Sequence, residues 1–488
     1  MSFDTSLFNL SDHFEPATAL GYARHQIVDT SLRSRMASAL TDDRLRTNVA
    51  RAVDRFTEHR SEALAELDDS DGLRHAARAV RQEVLADLPN LLERFADAAT
   101  ARGANLYWAS TAVEARDYVA RVVRSHDAER VVKSKSMVTE EIELTAALEA
   151  RGTEVVETDL GEWIVQLAGE TPSHIIAPAL HRDRYQVQEL FKERAGASSS
   201  LGNEPDELVR FARERLRDVF LNAQVGITGA NLAVADTGSI VLVTNEGNGR
   251  LVTSLPPVHV VVLGMERLAA NWHQADLLLA LLARSATGQR LSSYTTILNG
   301  PRGLGETDGP RELHIVVLDN GRSRLLASEH HEMLGCIRCG ACLNVCPVYR
   351  QVGGHAYGWV YPGPMGSVLT PLLGDAYPNA GELANASTLC GACMDACPVE
   401  IPLQDMLLAQ RRHNTVDAGR GERTAWRLWA AAWSDSWRYN ATTRAATWSR
   451  LATGLAGRLP VASAWASGRD IPKPASERFR DRWRKGLV

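Results

Sequence analysis

The sequence predicts an α/β domain on a mostly parallel sheet, then a small helical domain carrying every cysteine, with helical extensions at both ends. Three observations lead there. Between about residues 104 and 320, short β-branched runs alternate with helix-forming stretches, the pattern of a sheet with crossover helices. All seven cysteines fall between positions 336 and 397. Residues 1 to about 100 are rich in Ala, Leu, Arg and Glu at roughly helical apolar spacing. A chain of 488 residues exceeds what a single core usually serves. The expected boundaries are 1–100 for a helical N-terminal region, 101–322 for the α/β domain, 323–412 for the cysteine domain and 413–488 for a basic C-terminal region.

Taken in order, Arg44–Ala65 and Leu73–Ala99 are expected to be helices, interrupted only by Pro89, with packing as their role. In the α/β part, strands are expected at Val131–Val132, Thr153–Thr158, Ile175–Ile176, Ser239–Thr244, His259–Leu263 and His314–Asp319. Helices are expected at Thr139–Ala150, Pro205–Asn222 and Gln274–Ala283. The stretch NGPRGLGETDG at 299–309 must be a loop. No G-x-G-x-x-G opens a βαβ unit, and neither a G-x-S-x-G elbow nor HExxH is present, which argues against dinucleotide, serine-hydrolase and zinc-protease chemistry.

Hydrophobic residues make up 45% and charged residues 23%, ordinary for a globular chain. The longest apolar runs, Val260–Met265 and Leu277–Ala283, fall far short of the ~20 residues of a membrane helix, so no transmembrane span is expected. The N-terminus, MSFDTSLFNL, has neither the basic nor the apolar region of a secretory signal, and a cytoplasmic location is expected. Net charge is −5, yet residues 411–488 hold 16 Lys/Arg against 6 Asp/Glu, which leaves −15 for the rest. Seven of eleven tryptophans sit in that basic tail. Trp426, Trp429, Trp433 and Trp437 recur three and four apart, on one face of a helix that Gly454, Gly457, Pro460, Gly468, Pro472 and Pro474 then break.

Chemistry is concentrated in the cysteines. Cys336, Cys339, Cys342 and Cys346, followed by Pro347, form C-x2-C-x2-C-x3-C-P, the bacterial ferredoxin run. Closely spaced thiolates can wrap one iron–sulfur cubane, and Gly340 and Ala341 let backbone amides approach its sulfides. Cys390, Cys393 and Cys397, followed by Pro398, repeat the end of that run, with Ser387 where its first cysteine would stand. In two-cluster ferredoxins the fourth cysteine of each run serves the other cluster. Crossed pairing gives Cys336, Cys339, Cys342 and Cys397 to cluster 1, and Cys346, Cys390 and Cys393 to cluster 2. Ser387 could supply an oxygen to cluster 2; otherwise that iron takes another ligand, or is absent and the cluster is [3Fe–4S]. Paired zinc sites fit seven cysteines with two Cys-Pro endings poorly, and an odd count argues against a disulfide framework. Between the motifs lies a glycine-rich patch (Gly353, Gly354, Gly358, Gly363, Gly366) and then Val368–Leu373. Pro402 opens an expected helix to His413 with Leu403, Met406, Leu407 and Gln410 on one face. A helical ferredoxin-like module is therefore expected.

The blocks GITGAN at 226–231, DTGSI at 236–240, TNEGN at 244–248 and RLVT at 250–253 resemble the LUD domain of lactate-utilisation proteins. So do KSKSM at 133–137, ETDLG at 157–161 and HIIAP at 174–178. With the cysteine motifs and the terminal FRDRW at 479–483, the chain from about residue 20 resembles the lactate utilisation protein B family. The resemblance implies an iron–sulfur electron-transfer subunit of a three-protein system oxidising L-lactate to pyruvate. It further implies two [4Fe–4S] clusters on seven cysteines, companion subunits and an electron acceptor, rather than a complete enzyme alone. The LUD domain of that family is similar in fold to the sugar-phosphate isomerase and CoA-transferase group. Two other readings stand beside it: an organic-acid catalytic site in the LUD domain, and an iron–sulfur regulatory sensor.

The remaining polar residues read more plainly. Asn231, Asp236, Thr237, Asn245, Glu246 and Asn248 cluster around glycines at strand ends, where ligands bind α/β sheets, yet Asn, Asp and Thr also routinely fasten turns, and that reading leads. Lys133 and Lys135 could bind a carboxylate, but two lysines on a loop usually mean solvated surface. His330, His331 and His355 flank the cysteines; satisfying local backbone outweighs iron ligation. The tryptophan stripe is expected to bury against the α/β domain, ahead of docking a partner subunit or touching a membrane surface peripherally. No nucleic-acid partner is expected.

Overall fold

The computed structural model describes residues 30–374, 377, 379–416, 420–448 and 475–487, which divide after Arg411 into two compact units. The N-terminal sequence MSFDTSLFNL and the Gly/Pro positions from Gly454 to Pro474 lie outside the described residues.

Four helices open the first unit: Leu32–Leu40, Asp43–Ala65, Ser70–Ala86 and Leu88–Ala101. Ser31, Asp42 and Asp69 cap the first three through their side chains. The stretch expected as one helix over 73–99 is two, because the chain turns at Asp87 and Pro89 falls in the first turn of the next helix, where its missing N–H costs nothing.

Ten strands follow: β1 (Asn105–Ala109), β2 (Arg130–Lys133), β3 (Glu154–Glu157), β4 (Val225–Thr228), β5 (Leu232–Val234), β6 (Ser239–Thr244), β7 (Val258–Gly264), β8 (Leu268–Ala269), β9 (Tyr294–Leu298) and β10 (Glu312–Leu318). Six make a sheet in the order β1-β10-β7-β4-β2-β3, parallel throughout. Its inner strands are nearly continuous apolar runs; every residue of β7 is buried, as two helix-covered faces require. A second sheet, β8-β5-β6-β9, is mixed, with β6 antiparallel to both neighbours.

Two expectations need correction here. Ile175–Ile176 forms no strand, because the amides of Ile176 and Ala177 donate to Nδ1 of buried His174 (3.1 and 3.2 Å) and not to a ladder. The helix expected at Thr139–Ala150 is two, Met137–Glu141 and Leu144–Glu149, broken at Glu143, which sits at φ +50.

Lys133 is not on a solvated loop. It ends β2, fully buried, and its ammonium bonds Glu157 at 2.6 Å and Glu140 at 2.7 Å. Burial alone would lower its pKa; the two carboxylates outweigh that and raise it. Burial raises Glu157 to about 7 and pushes Glu162 well up, so Lys133 is the cation on which the cluster depends. Lys133→Met is expected to leave these buried carboxylates unpaired, at a cost of roughly 3–5 kcal/mol. A thermal melt should fall by about 5–10 °C.

Among the described residues from 323 to 411 there is no strand, only short helices at Arg322–Leu326, Ala341–Asn344, Tyr349–Val352, Gly363–Leu369 and Ala392–Asp395 with 3-10 turns between them, then Leu403–Val416. Leu403, Met406, Leu407 and Gln410 are buried, as their spacing requires.

The second unit has helices Arg420–Trp433, Ser436–Trp448 and Phe479–Arg484. Within the second unit itself the tryptophan stripe is not buried. Trp426, Trp429, Trp433 and Trp437 are 49–74% exposed, and the first three rings pack on one another, with Trp429 stacked on Trp433 at 5.4 Å. Nor do the four share one helix. The chain breaks at Ser434–Asp435, and Asp435 caps the next helix by accepting from the Trp437 and Arg438 amides. No helix among the described residues is long and apolar enough to cross a membrane.

Candidate iron–sulfur centres and the adjoining cavity

The two cysteine runs fold alike. Arg338 and Leu389, each just before a cysteine, sit at φ +60 and +55. Gly340 and Gly391 follow those cysteines at φ +79 and +87, a conformation open to glycine at little cost. Each run then enters a one-turn helix, Ala341–Asn344 or Ala392–Asp395. Within this repeat Ser387 takes the place of Cys336. The Cys336 Sγ accepts from the Arg338 amide at 3.4 Å, and the Ser387 Oγ accepts from the Leu389 amide at 3.1 Å.

All seven thiols are free of disulfides. They interact in two groups. Cys339 is raised by burial and then by Cys397 and Cys336; Cys342 is raised by burial and then by Cys336, Cys339 and Cys397. Burial pushes Cys393 up to about 11, with Cys346 and Cys390 next, and pushes Cys397 up to about 11, with Cys336 the thiol that adds to it. Cys346, Cys390, Cys393 and Ser387 line one small hollow, with Gln404 on its wall. Cys390 is exposed, Cys336 half-buried and the other five buried. Backbone amides also reach Cys346 Sγ (from Tyr349, 3.5 Å) and Cys397 Sγ (from Ile401, 3.4 Å), the kind of N–H···S contact that steadies a thiolate on iron. Free thiols in two sets, with amides turned toward their sulfurs, fit iron–sulfur binding.

Arginines surround the first group, and sequence reasoning missed them. Arg60 donates to the Ala396 carbonyl, and Arg74 to the carbonyls of Cys397 and Asp395. Buried Arg81 bonds the carbonyls of Leu334 and Gly335 on one side and of Glu266 and Leu268 on the other. Arg267 donates to the Cys336 carbonyl at 2.8 Å. The N-terminal helices are thus more than packing. The one sequence signal was a charge on an apolar face: Arg81 lies among buried Ala77, Val84 and Leu85. Of the histidines, His331 and His355 hydrogen-bond the Ser328 and Thr171 carbonyls, and buried His330 precedes the first cysteine by six positions.

A cavity of about 510 Å³ opens at the carboxyl ends of β2, β3, β4 and β7, the edge where parallel sheets take ligands. Its wall includes Ser134–Ser136 after β2, Asp159–Gly161 after β3, Gly229–Asn231 after β4, and Arg338 and Tyr361 from the cysteine region. Asn231, Asn245, Glu246 and Asn248 line it while fastening turns: Asn231 Oδ1 accepts from the Val243 amide, and Asn245 bonds Gln289 and Ser293. Asp236 and Thr237 are not on the wall; they pair with Arg94 and Ser239. Burial, then Asp159, raises Glu246 to about 7. Behind the wall, Arg322 binds Glu141 at 2.8 and 2.9 Å and Glu266 at 2.8 Å, and the Tyr361 hydroxyl donates to Glu141 at 2.8 Å.

Three family models match the chain: LUD domain over residues 92–318, 4Fe-4S dicluster domain over 332–401, and lactate utilisation protein B, C-terminal, over 410–487. Lactate utilization protein B of Shouchella clausii is 46% identical over 463 residues, covering 93% of this chain and 97% of its own length. The proteins of that name from an Exiguobacterium species and from Macrococcus caseolyticus are each 45% identical, covering 94% and 93% of this chain and 98% and 97% of their own. A crystal structure of a DUF162 family protein from Deinococcus radiodurans aligns with 47% of this chain and 98% of its own, at 17% identity and a TM-score of 0.27. On the near full-length matches, this chain belongs to the lactate utilisation protein B family.

Proposed function

We propose that this chain is the iron–sulfur electron-transfer subunit for oxidation of L-lactate to pyruvate, acting with companion subunits. The observation that carries the reading is the pair of thiol groups, one buried among arginines and one reaching the surface at Cys390. When bound, iron–sulfur clusters take up and release single electrons. Cys336, Cys339, Cys342 and Cys397 would hold cluster 1; Cys346, Cys390 and Cys393 would hold cluster 2, both [4Fe–4S]. Ser387, standing where Cys336 stands in the other run, would complete cluster 2 through oxygen. The arginines offset the charge of four thiolates, which favours electron uptake at cluster 1, and exposed Cys390 marks the side from which an acceptor is reached. The all-helical cysteine region supports a helical ferredoxin-like module, and the parallel sheet supports an α/β domain of the sugar-phosphate isomerase and CoA-transferase kind.

Anaerobic iron and sulfide analysis with EPR tests this. About eight irons and two interacting reduced centres are expected. Ser387→Ala should lose about one iron and show an oxidised [3Fe–4S] signal, while Ser387→Cys keeps the full complement. Zinc in place of iron would overturn the proposal.

A further inference from the structure

The cavity at the sheet edge touches the first cysteine run directly, through Arg338. This residue lies between Cys336 and Cys339; its side chain is 11% exposed, its charge acts on the Cys336 thiol, and its backbone amide hydrogen-bonds the Cys336 sulfur at 3.4 Å. The same guanidinium lies 5.1 Å over the Tyr361 ring and 3.6 Å from Glu266, and its buried Nη1 has no hydrogen-bond partner. Arg338 therefore stands with one side on a cluster ligand and another on the cavity wall.

The wall is built for an anion. Lys135 lines it and, among the described residues, makes one hydrogen bond, to the Ile176 carbonyl at 2.5 Å, and no ion pair. Its ammonium keeps two N–H groups unspent. Arg267 adds a cation, Arg322 is already spent on Glu266 and Glu141, and Glu246 is raised to about 7 by burial and Asp159. Asp159 is engaged as a helix cap by the Glu162 amide. A second buried atom on the wall, Asn248 Oδ1, has no donor, so an O–H on the ligand would find an acceptor. The remaining lining is largely aliphatic, with Ile164, Ile175, Ile176 and Leu282.

We infer that this cavity binds a small organic acid through its carboxylate, and that occupancy and the redox state of cluster 1 are linked through Arg338. The inference rests on cluster 1 being held by Cys336 and its partners. A carboxylate beside Arg338 draws on the same positive charge that stabilises electron uptake. Reduction must then weaken carboxylate binding, and binding must lower the cluster's potential by the matching amount. The site is one of binding and coupling; no bond of the acid is made or broken in it.

The test uses the cluster-loaded full chain, anaerobically, with L-lactate, pyruvate and acetate as probes against equal ionic strength of chloride. Calorimetry on the oxidised protein should show saturable binding of L-lactate or pyruvate, weakened at least about tenfold in Lys135→Gln and restored in Lys135→Arg. EPR-monitored titration should place the midpoint of cluster 1 lower with the acid present. A tenfold difference in affinity between redox states corresponds to about 59 mV for one electron. Cluster 2 should move much less. Iron content and circular dichroism of both variants should match the parent, which separates lost binding from lost folding. Saturable binding with an unmoved cluster-1 midpoint would overturn the linkage, and no binding beyond chloride would overturn the site. Either result with two intact reducible clusters leaves the electron-transfer function standing; clusters that fail to load or reduce would sink that function instead.

Discussion

Replacing Cys397 by alanine is expected to remove cluster 1 and leave cluster 2, although Cys397 belongs to the second motif. Replacing Cys346 should do the reverse. The thiol of Cys397 shares its surroundings with Cys336, and that of Cys346 with Cys390. Each variant should fall from about eight irons to about four and lose the magnetic interaction between reduced centres. What survives differs. Cys397→Ala keeps the centre near exposed Cys390, and Cys346→Ala keeps the buried one among the arginines. Transfer of electrons through the chain should be abolished in both, since either loss opens the path. If Cys397→Ala instead lost the centre near Cys390, the ligand sets would be uncrossed.

The second large effect lies behind the cavity. Arg322 is 1% exposed, and the two carboxylates it neutralises, Glu141 and Glu266, are 0% and 2% exposed. Burial would lower its pKa, but Glu141 and Glu266 outweigh that and raise it. Arg322→Met should leave both carboxylates buried without a full partner, at roughly 3–5 kcal/mol. Since Glu141 also accepts from Tyr361 and from Asn320, the network ties the end of the sheet to the cysteine region. The melting temperature should therefore drop by about 10 °C, with cluster loss accompanying the transition. Arg322→Lys should recover only part, because an ammonium cannot reproduce the forked pairing with Glu141. An unchanged melt for Arg322→Met would show that the carboxylates are protonated and need no cation.

The parts legible in the sequence were those with a short period or a fixed spacing. β6 at Ser239–Thr244 and the helix at Pro205–Asn222 have the ends their residues announce, since a β-branched run and an N-terminal proline each mark a boundary locally. The cysteine motifs were equally plain. Short strands such as β5 and β8, of three and two residues, carry too few side chains to show a period. The burial of Lys133 was hidden because its partners Glu140 and Glu157 come together only when β2 and β3 pair. The arginine contacts were hidden for the same reason: Arg74 and the Cys397 carbonyl are 323 positions apart. The tryptophan stripe misled because spacing reports a shared face, whereas a helix stop at Ser434–Asp435 depends on one carboxylate's choice of partners.

Crossed pairing of the cysteines, as proposed, would have a consequence for how the protein is made. A ribosome that has released residue 346 has delivered a full four-cysteine run, yet under crossed pairing that run completes neither centre. Both must wait for the stretch from Ser387 to Cys397. By then Arg60, Arg74 and Arg81 have long emerged, so the clasp for the loops exists before the loops do. Maturation would thereby be scheduled after synthesis of nearly the whole first unit. A chain truncated before Cys390 would offer the iron-delivery machinery no finished site, and incomplete translation products would be left without redox-active metal.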